Sequence, residues 1–382
     1  MGKIVYLAHY STPGKERDTS PAGTTVMEYV IECLEKLGKE TVVISSARSQ
    51  KELPREEVQI SSKTKLILAA SSKKTAPFRY LKRFLRHKKY QKAILQELLR
   101  QVEDGDTLLV YHSLSLMKLV QKIKEKRNIT LVLQVCEIYA DVLENRRIKA
   151  KELSYFSLAD KYIFQTEILN HIVNTKSLPY AVLHGAYKSV PEGISHAFPF
   201  ASSKIRCVYA GTLDPRKGGA FAAVATAAFL PENFHIHILG FGTENEIEQI
   251  QKKVEEISRT SKASVSYDGC LRGEEYLDFI KHCHIGLSTQ NPDAAFNMTS
   301  FPSKILVYMA SGLRVVTVRI PAVESSLVGR DLFYYELPTP QNVAQAIQKI
   351  DFSEHYDGKQ KIESLNESFC KSLEALLKKE NI

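Results

Sequence analysis

Short apolar runs alternate with longer amphipathic stretches along the chain. Thr41–Ser45, Thr107–Tyr111 and Thr130–Val135 have the length and β-branched content of buried strands. Thr24–Leu37 instead has its apolar positions at helical spacing, and Gly38 ends it. The alternation resumes in the second half, with strands expected at Arg206–Ala210, Phe234–Leu239, Ser264–Tyr267, Ile285–Thr289 and Arg314–Val318. Strands that alternate with helices form parallel sheets, so the pattern predicts an α/β protein with two doubly wound domains facing a cleft.

The boundary between these domains is expected in the segment 189–204, which contains two prolines and several serines and is typical of a linker. A chain of 382 residues also exceeds the usual size of one hydrophobic core. We therefore predict one domain over residues 1–188 and a second over residues 189–360.

The composition favours a soluble cytoplasmic protein over a secreted or membrane-spanning one. With 44% hydrophobic and 25% charged residues, the chain resembles ordinary soluble proteins. The six cysteines have no paired spacing, which favours reduced thiols in the cytoplasm over a zinc site or a disulfide framework. The first residues lead directly into a strand, so no signal peptide is expected. The longest apolar run, Ala220–Leu230, is too short to cross a bilayer.

The net charge of +9 is concentrated in the first half of the chain. Residues 1–185 contain 31 Lys and Arg against 20 Asp and Glu, whereas the remainder contains 21 against 23. Lys73–Lys92 has nine basic residues and no acid, and its aromatic and leucine side chains follow a helical period. A solvated helix face is the simpler interpretation. The absence of Asp and Glu, together with the aromatic residues, instead favours a helix at 78–92 that lies on the anionic inner face of a membrane. We favour this interpretation over a nucleic-acid site.

Two loops of the second half carry the candidate chemistry. Gly211-Thr-Leu-Asp-Pro-Arg-Lys-Gly-Gly219 follows a strand and places Arg216 and Lys217 before an alanine-rich helix, which suits a diphosphate. The helix predicted at 302–311 is apolar apart from Lys304 at its start. We expect Lys217 and Lys304 to clamp one diphosphate from two sides. A basic surface turn and a lysine that merely reaches solvent are the alternatives.

The loop Leu239-Gly-Phe-Gly-Thr-Glu-Asn245 also follows a predicted strand. A dinucleotide-binding fingerprint would require glycine at position 245, where asparagine stands. The sequence therefore gives little support to a nicotinamide-dependent enzyme.

Several motifs resemble, in order, those of family 4 glycosyltransferases, which are retaining enzymes of the GT-B fold. The motifs are Ala159-Asp-Lys-Tyr-Ile-Phe-Gln-Thr166, Val182-Leu-His-Gly185, Gly211–Gly218, Leu239–Gly242, Tyr267-Asp-Gly-Cys270, Phe301-Pro-Ser-Lys304 and Gly312-Leu-Arg-Val-Val316. The resemblance covers most of the chain, is strongest from residue 206 to residue 320 and is weak from 46 to 105. The Phe-Pro-Ser-Lys variant is similar to that of bacterial capsule or exopolysaccharide transferases.

This resemblance implies two Rossmann-like domains, with a UDP- or GDP-sugar donor in the second and a glycan or lipid-diphosphate-linked acceptor in the first. It also implies transfer with retention, no metal and no cofactor, and a C-terminal helix within 361–382 that packs back on the first domain. The donor-binding residues it implies are Gly211, Thr212, Arg216, Lys217, Gly240, Cys270, Thr299, Ser303 and Lys304.

One departure from the family concerns two glutamates that it usually carries eight positions apart. Thr299 and Val307 occupy those positions here, and a valine cannot hydrogen-bond a ribose hydroxyl. A non-catalytic, nucleotide-sugar-binding partner subunit is therefore an alternative. A GT-B epimerase or phosphorylase is another.

On the acceptor side, Glu137 follows the strand Thr130–Val135, where the family often has a histidine beside the reacting sugar. We predict that Glu137 is the catalytic carboxylate, against the alternative of a solvated strand-end glutamate. Gly23 and His112 are the other acceptor-side candidates. Both His112 and His184 are weaker candidates than Glu137, because a lone histidine is more often structural or simply exposed.

Overall fold

The computed structural model describes residues 2–49, 51–71, 79–190, 198, 204–292 and 295–378, with the backbone alone for residues 21, 79–87, 295 and 296. The chain divides into two compact units. The first comprises residues 1–186 and 368–382, and the second comprises residues 187–367. Most of the predicted linker at 189–204 lies outside the described residues.

The first unit is built on an eight-stranded sheet in the order β3-β4-β2-β1-β5-β6-β7-β8. All neighbouring strands are parallel except β3 and β4, which are antiparallel. The strands are β1 (Ile4–Ala8), β2 (Thr41–Ser45), β3 (Glu56–Gln59), β4 (Thr64–Leu68), β5 (Thr107–Tyr111), β6 (Thr130–Val135), β7 (Lys161–Phe164) and β8 (Tyr180–Val182).

Helices cover both faces of this sheet, as expected when strands are buried on both sides. They are α1 (Pro21–Lys36), α2 (Arg79–Gln101), α3 (Met117–Lys126), α4 (Tyr139–Val142), α5 (Arg146–Phe156) and α6 (Glu167–Val173). The second half of α2 packs against the core through Tyr90, Ile94 and Leu98. The spacing of four residues places these side chains on one helix face.

The second unit has a parallel sheet in the order β11-β10-β9-β12-β13-β14. Its strands are β9 (Ile205–Thr212), β10 (Phe234–Phe241), β11 (Ser264–Gly269), β12 (Ile285–Ser288), β13 (Arg314–Val318) and β14 (Phe333–Tyr335). Its helices are α7 (Gly219–Thr226), α8 (Glu244–Ser258), α9 (Gly273–Lys281), α10 (Lys304–Ala310), α11 (Pro321–Glu324), α12 (Pro340–Gln348) and the start of α13 (Gly358–Leu377).

Both sheets reverse their strand order beside their first strand. In the first unit the reversal lies between β1 and β5, and in the second it lies between β9 and β12. In open α/β sheets, ligands bind outside the carboxyl ends of the strands at such a reversal. The loops that follow these four strands are therefore the places to look for a site in each unit.

From Ser368 onward, α13 belongs to the first unit. The Phe369 ring packs against Tyr29 of α1 with centroids 5.8 Å apart. The Lys161 ammonium donates to the carbonyl of Leu376 at 2.7 Å. Within the described parts of the chain, no helix combines the length and apolar character needed to cross a membrane.

Candidate functional site

The loop after β9 begins where the sheet of the second unit reverses. Close packing leaves no room for a side chain at Gly219 of this loop or at Gly240 of the neighbouring strand β10. A Cβ atom on Gly219 would lie 2.9 Å from Cε2 of Tyr209, and one on Gly240 of β10 would collide with the Gly211 carbonyl. Gly218 has φ of +69°, a left-handed conformation that favours glycine, and it caps α7. Glycine at these positions thus allows the loop after β9 to pack closely against Tyr209 and allows β10 to approach β9 at the carboxyl edge of the sheet.

Helix α10 is fixed to the same edge by Tyr308, which is fully buried. Its ring fills the space left by Gly286 on β12, and its hydroxyl accepts a hydrogen bond from the Ala210 N–H at 2.8 Å. Lys304 lies one helical turn earlier on the same face. Anchoring of Tyr308 therefore directs the Lys304 side chain towards the end of β9.

The Lys304 ammonium reaches the loop predicted to bind a diphosphate. Its Nζ lies 3.8 Å from the centroid of the Tyr209 ring. It also lies 3.1 Å from the position that a Cβ atom on Gly211 would occupy. Burial of the ammonium, and secondarily the positive charge of Lys217, lower the pKa of Lys304 to about 7. The structure thus brings Lys304, Lys217 and Gly211 together, and it gives Lys304 a reason to bind an anion.

This lowered pKa predicts that anion binding depends on pH. With its pKa lowered to about 7, the Lys304 side chain should lose its charge as the pH rises above neutrality, and a bound diphosphate would favour the charged form. Nucleoside diphosphate binding should therefore take up a proton. We expect affinity to fall by up to about tenfold per pH unit above pH 7, where the empty site loses its ammonium.

Calorimetry in two buffers of different ionisation enthalpy measures the proton uptake, and titrations from pH 6 to pH 9 measure the affinity. The variant Lys304→Met is the control, because it should bind weakly with little pH dependence over this range. An unchanged affinity of the wild type from pH 7 to pH 9 would contradict the prediction.

The other predicted cation of the loop, Arg216, is engaged by its own neighbour. Its guanidinium makes a bidentate pair with the Asp214 carboxylate, at 2.9 Å from Nε to Oδ1 and 2.6 Å from NH2 to Oδ2. This interaction lowers the pKa of Asp214 to about 2. The Arg216 side chain is 89% exposed. Asp214 already occupies Nε and NH2 of Arg216 and balances its charge, so Arg216 offers an anion less attraction than an unpaired guanidinium would.

The remaining donor-side candidates lie on the loops around this edge. Thr212 ends β9, and its side-chain oxygen accepts a hydrogen bond from the Asp214 N–H. Cys270 is exposed just after β11, and Ser303 precedes α10. Thr299 is buried, and Val307 on α10 is half-buried. Nearby Asn297 is also buried, and its side-chain amide donates to the carbonyl of Asn291.

In the first unit, Glu137 lies two residues after the end of β6, at the carboxyl edge of the sheet, and it is half-buried. The Tyr139 side chain is close by. Burial, followed by the negative charge of Glu137, raises the pKa of the Tyr139 phenol. Glu137 is therefore placed where a ligand of this sheet is expected, one strand away from the reversal.

His112 follows β5 and is buried, unlike a histidine that would meet substrate from solvent. Its Nε2 lies 2.7 Å from Oε1 of Glu152 on α5, a carboxylate that is also completely buried. Burial lowers the pKa of His112, with Glu152 partly opposing the shift. A neutral ring that donates Nε2–H to the carboxylate fits both observations.

Gly23 and His184 also have defined places. Gly23 lies in the first turn of α1, and a Cβ atom there would be 3.4 Å from the Tyr111 hydroxyl at the end of β5. Gly23 therefore faces the reversal of the first sheet. His184 is buried, and its Nδ1 donates to the Gln165 carbonyl at 2.7 Å. Burial lowers its pKa to about 4, so the ring is neutral at pH 7.

Three site residues carried no recognisable signal in the sequence. Glu152 looks like one of many charged residues on an amphipathic helix. Tyr209 and Tyr308 look like ordinary apolar positions of a strand and a helix. Their roles depend on contacts between residues that are far apart in the sequence: His112 and Glu152 are separated by 40 positions, and Ala210 and Tyr308 by 98. Among the described residues, no group of three or more His, Cys, Asp or Glu side chains has the arrangement of a metal site.

Comparison with solved structures gives the fold. An α,α-trehalose 6-phosphate synthase from Burkholderia multivorans matches with a TM-score of 0.70 at 11% identity, over 98% of this chain and 96% of the other. A sucrose-phosphate synthase from Thermosynechococcus elongatus matches with a TM-score of 0.69 at 15% identity, over 98% of both chains. The E. coli trehalose-6-phosphate structure bound with UDP-2-fluoro glucose matches with a TM-score of 0.66 at 12% identity, over 98% of both chains.

This chain has the GT-B fold. The predicted fold class, two doubly wound α/β domains, is confirmed by these matches. No protein-family model and no curated protein sequence matches the chain. Because the identities are low, the matches establish the architecture, and the chemistry must be argued from the residues of each unit.

Proposed function

We propose that this protein is a retaining glycosyltransferase that moves a sugar from a nucleoside diphosphate donor to a glycan or lipid-linked acceptor. The observation that carries the proposal is the partly buried Lys304 ammonium, held over Tyr209 and beside Gly211 and Lys217 where the second sheet reverses. A partly buried cation next to a second cation at this place favours a doubly charged ligand. A similarly folded structure contains UDP-2-fluoro glucose, which supports a UDP-sugar as the donor.

The proposed reaction breaks the bond between the sugar C1 and the diphosphate oxygen and forms a bond from C1 to an acceptor hydroxyl. Negative charge develops on the leaving oxygen, and Lys304 and Lys217 stabilise it. The proton of the acceptor hydroxyl passes to the departing diphosphate. The Glu137 carboxylate orients this hydroxyl or stabilises positive charge on the sugar ring. In this proposal the two lysines balance the charge of the diphosphate, and the resemblance to family 4 glycosyltransferases implies that no metal is needed.

We propose that the acceptor is an intermediate of bacterial surface polysaccharide synthesis. The proposal rests on the motif Phe301-Pro-Ser-Lys304, which resembles that of capsule and exopolysaccharide transferases. The solved structures of similar fold include synthases named for trehalose 6-phosphate and sucrose phosphate. A soluble sugar phosphate is therefore the acceptor to test beside lipid-linked glycans.

A panel of nucleotide sugars in a thermal-shift experiment tests the donor, because it identifies the base and the sugar together. We expect one UDP- or GDP-sugar to raise the melting temperature. That donor is then incubated with lipid-diphosphate-linked and phosphorylated sugar acceptors, and the anomeric configuration of the product is determined by NMR. Donor binding without transfer to any acceptor would instead favour a non-catalytic partner subunit, and isomerisation of the donor would favour an epimerase.

Val307 provides a test of whether the chain is active as it stands. Valine cannot bind a ribose hydroxyl, and we propose that neighbours such as Asn297 and Thr299 make the ribose contacts instead. Val307→Glu should therefore leave kcat within about twofold of the wild type or lower it, since a carboxylate at this half-buried position is partly desolvated. A large gain in kcat would show that the natural chain is a weakened enzyme.

We further propose that the helix at 78–92 docks the protein on anionic lipid through its basic residues, while Tyr90 packs against the core of the first unit. Most of the side chains concerned lie outside the described residues, so the proposal rests on the nine basic residues and the absence of acids from Lys73 to Lys92. Each basic residue near an anionic surface contributes about 1 kcal/mol. Sedimentation with liposomes should show binding that needs anionic lipid, falls with salt and disappears when Lys82, Arg83 and Arg86 become glutamate. Equal binding to neutral liposomes, or none to anionic ones, would contradict it.

A further inference from the structure

The carboxylate of Glu152 on α5 is completely buried and accepts three hydrogen bonds. Its Oε1 accepts from Nε2 of His112 at 2.7 Å and from the N–H of Tyr139 at 2.9 Å. Its Oε2 accepts from the N–H of Ala140 at 2.8 Å. Each contact has the length of a strong hydrogen bond to a charged acceptor.

These three donors belong to two different loops at the carboxyl edge of the first sheet. His112 follows β5, and Tyr139 and Ala140 begin α4 after β6. The two strands are parallel neighbours. Glu152 therefore joins the two loops that adjoin the expected acceptor site, and the backbone it holds begins two residues after Glu137.

Burying the negative charge of Glu152 is unfavourable in free energy, and none of the described cations is paired with it. Burial keeps His112 neutral by lowering its pKa, so the carboxylate is stabilised by one ring N–H and two backbone N–H groups. An amide side chain of the same shape could fill this space without a charge. It has only one acceptor oxygen, however, and its NH2 group would face a backbone N–H. Three converging donors require a carboxylate.

We propose that Glu152 is a positioning residue for transfer: it holds the backbone around Glu137 and the His112 ring in the geometry that the acceptor needs. The inference rests on the proposed function and adds to it a residue that does not touch substrate. Glu152→Gln removes one acceptor and so releases the N–H of Tyr139 or Ala140. A displacement of about 1 Å in a catalytic group can lower kcat by about a hundredfold.

The test compares Glu152→Gln with Glu97→Gln, which removes a buried carboxylate from α2 in the same unit. Glu97 binds Arg55 at 2.9 Å and Arg100 at 2.8 Å. We expect Glu152→Gln to lower kcat by tenfold to a hundredfold. The Kd of the donor nucleotide, which binds the second unit, should stay unchanged. Glu97→Gln should alter neither quantity.

Amide hydrogen exchange supplies a second readout, since Tyr139 and Ala140 should lose protection in Glu152→Gln and keep it in Glu97→Gln. If Glu152→Gln does not fold, Glu152→Asp keeps the charge, shortens the side chain and should show the same loss of kcat. A folded Glu152 variant with wild-type kcat would overturn this inference alone. A wild-type protein that transfers no sugar would overturn the proposed function as well.

Discussion

Replacing Glu137 by glutamine is expected to lower kcat for sugar transfer by about a hundredfold, with little change in donor affinity. Acid–base and charge-stabilising groups in active sites typically contribute factors of this size. The substitution keeps the shape of the side chain and removes its charge, so packing after β6 should be preserved. In the proposed function the donor binds the second unit, so its affinity should not be affected.

The measurement is steady-state turnover at saturating donor and acceptor, together with calorimetric binding of the nucleotide. Glu144→Gln is a suitable control, because Glu144 is an exposed carboxylate a few residues later in the chain. It should behave as the wild type. If Glu137→Gln turned over at the wild-type rate, the carboxylate after β6 would be a solvated residue, and another group would have to orient the acceptor.

Lys304→Ala and Lys217→Ala are each expected to weaken nucleoside diphosphate binding by tenfold or more. A charge-assisted contact contributes about 1.5–3 kcal/mol, and about 1.4 kcal/mol corresponds to a tenfold change in Kd. Lys304 should show the larger effect, because its ammonium is partly buried beside Tyr209 whereas Lys217 is exposed. Arg216→Ala should show a smaller effect, because Asp214 already holds that guanidinium.

Isothermal calorimetry gives these affinities, and thermal unfolding shows whether each variant is folded. Lys252→Ala is the matched control: Lys252 lies on α8 of the same unit, is exposed and pairs with Glu248. Its removal changes the net charge equally and should leave the Kd unchanged. Wild-type affinity in both Lys304→Ala and Lys217→Ala would mean that the donor binds elsewhere.

The alternation of apolar runs and amphipathic stretches was enough to predict the fold. Strands such as β2, β5 and β6 agree with the predicted bounds because each is a buried, β-branched run. Strands β3 and β4 were both missed: the Glu-Glu-Val-Gln sequence of β3 has no apolar run, whereas β4 has one, Leu-Ile-Leu, that was not assigned to a strand. Strands β8 and β14 have three residues each and are too short for any period to show.

The site was accessible from sequence only where local chain geometry defines it. Gly211, Lys217 and Lys304 could be selected because glycines and lysines at the ends of strands and helices are typical of anion-binding loops. The pair between Arg216 and Asp214 could not be anticipated, because either residue alone suits the loop. The Tyr308 anchor and the Glu152 contacts join segments far apart in sequence, so only the folded chain reveals them.

A crystal structure with the nucleotide sugar selected by thermal shift tests the central claim most directly. The quantity to measure is the distance from Nζ of Lys304 to the nearest oxygen of the bound diphosphate. We predict a direct contact of about 2.7–2.9 Å, with Lys217 on the other side of the diphosphate and the loop from Gly211 to Gly219 around it. A nucleotide bound away from the ends of β9 and β12, with Lys304 still over Tyr209 and in contact with no phosphate, would contradict it.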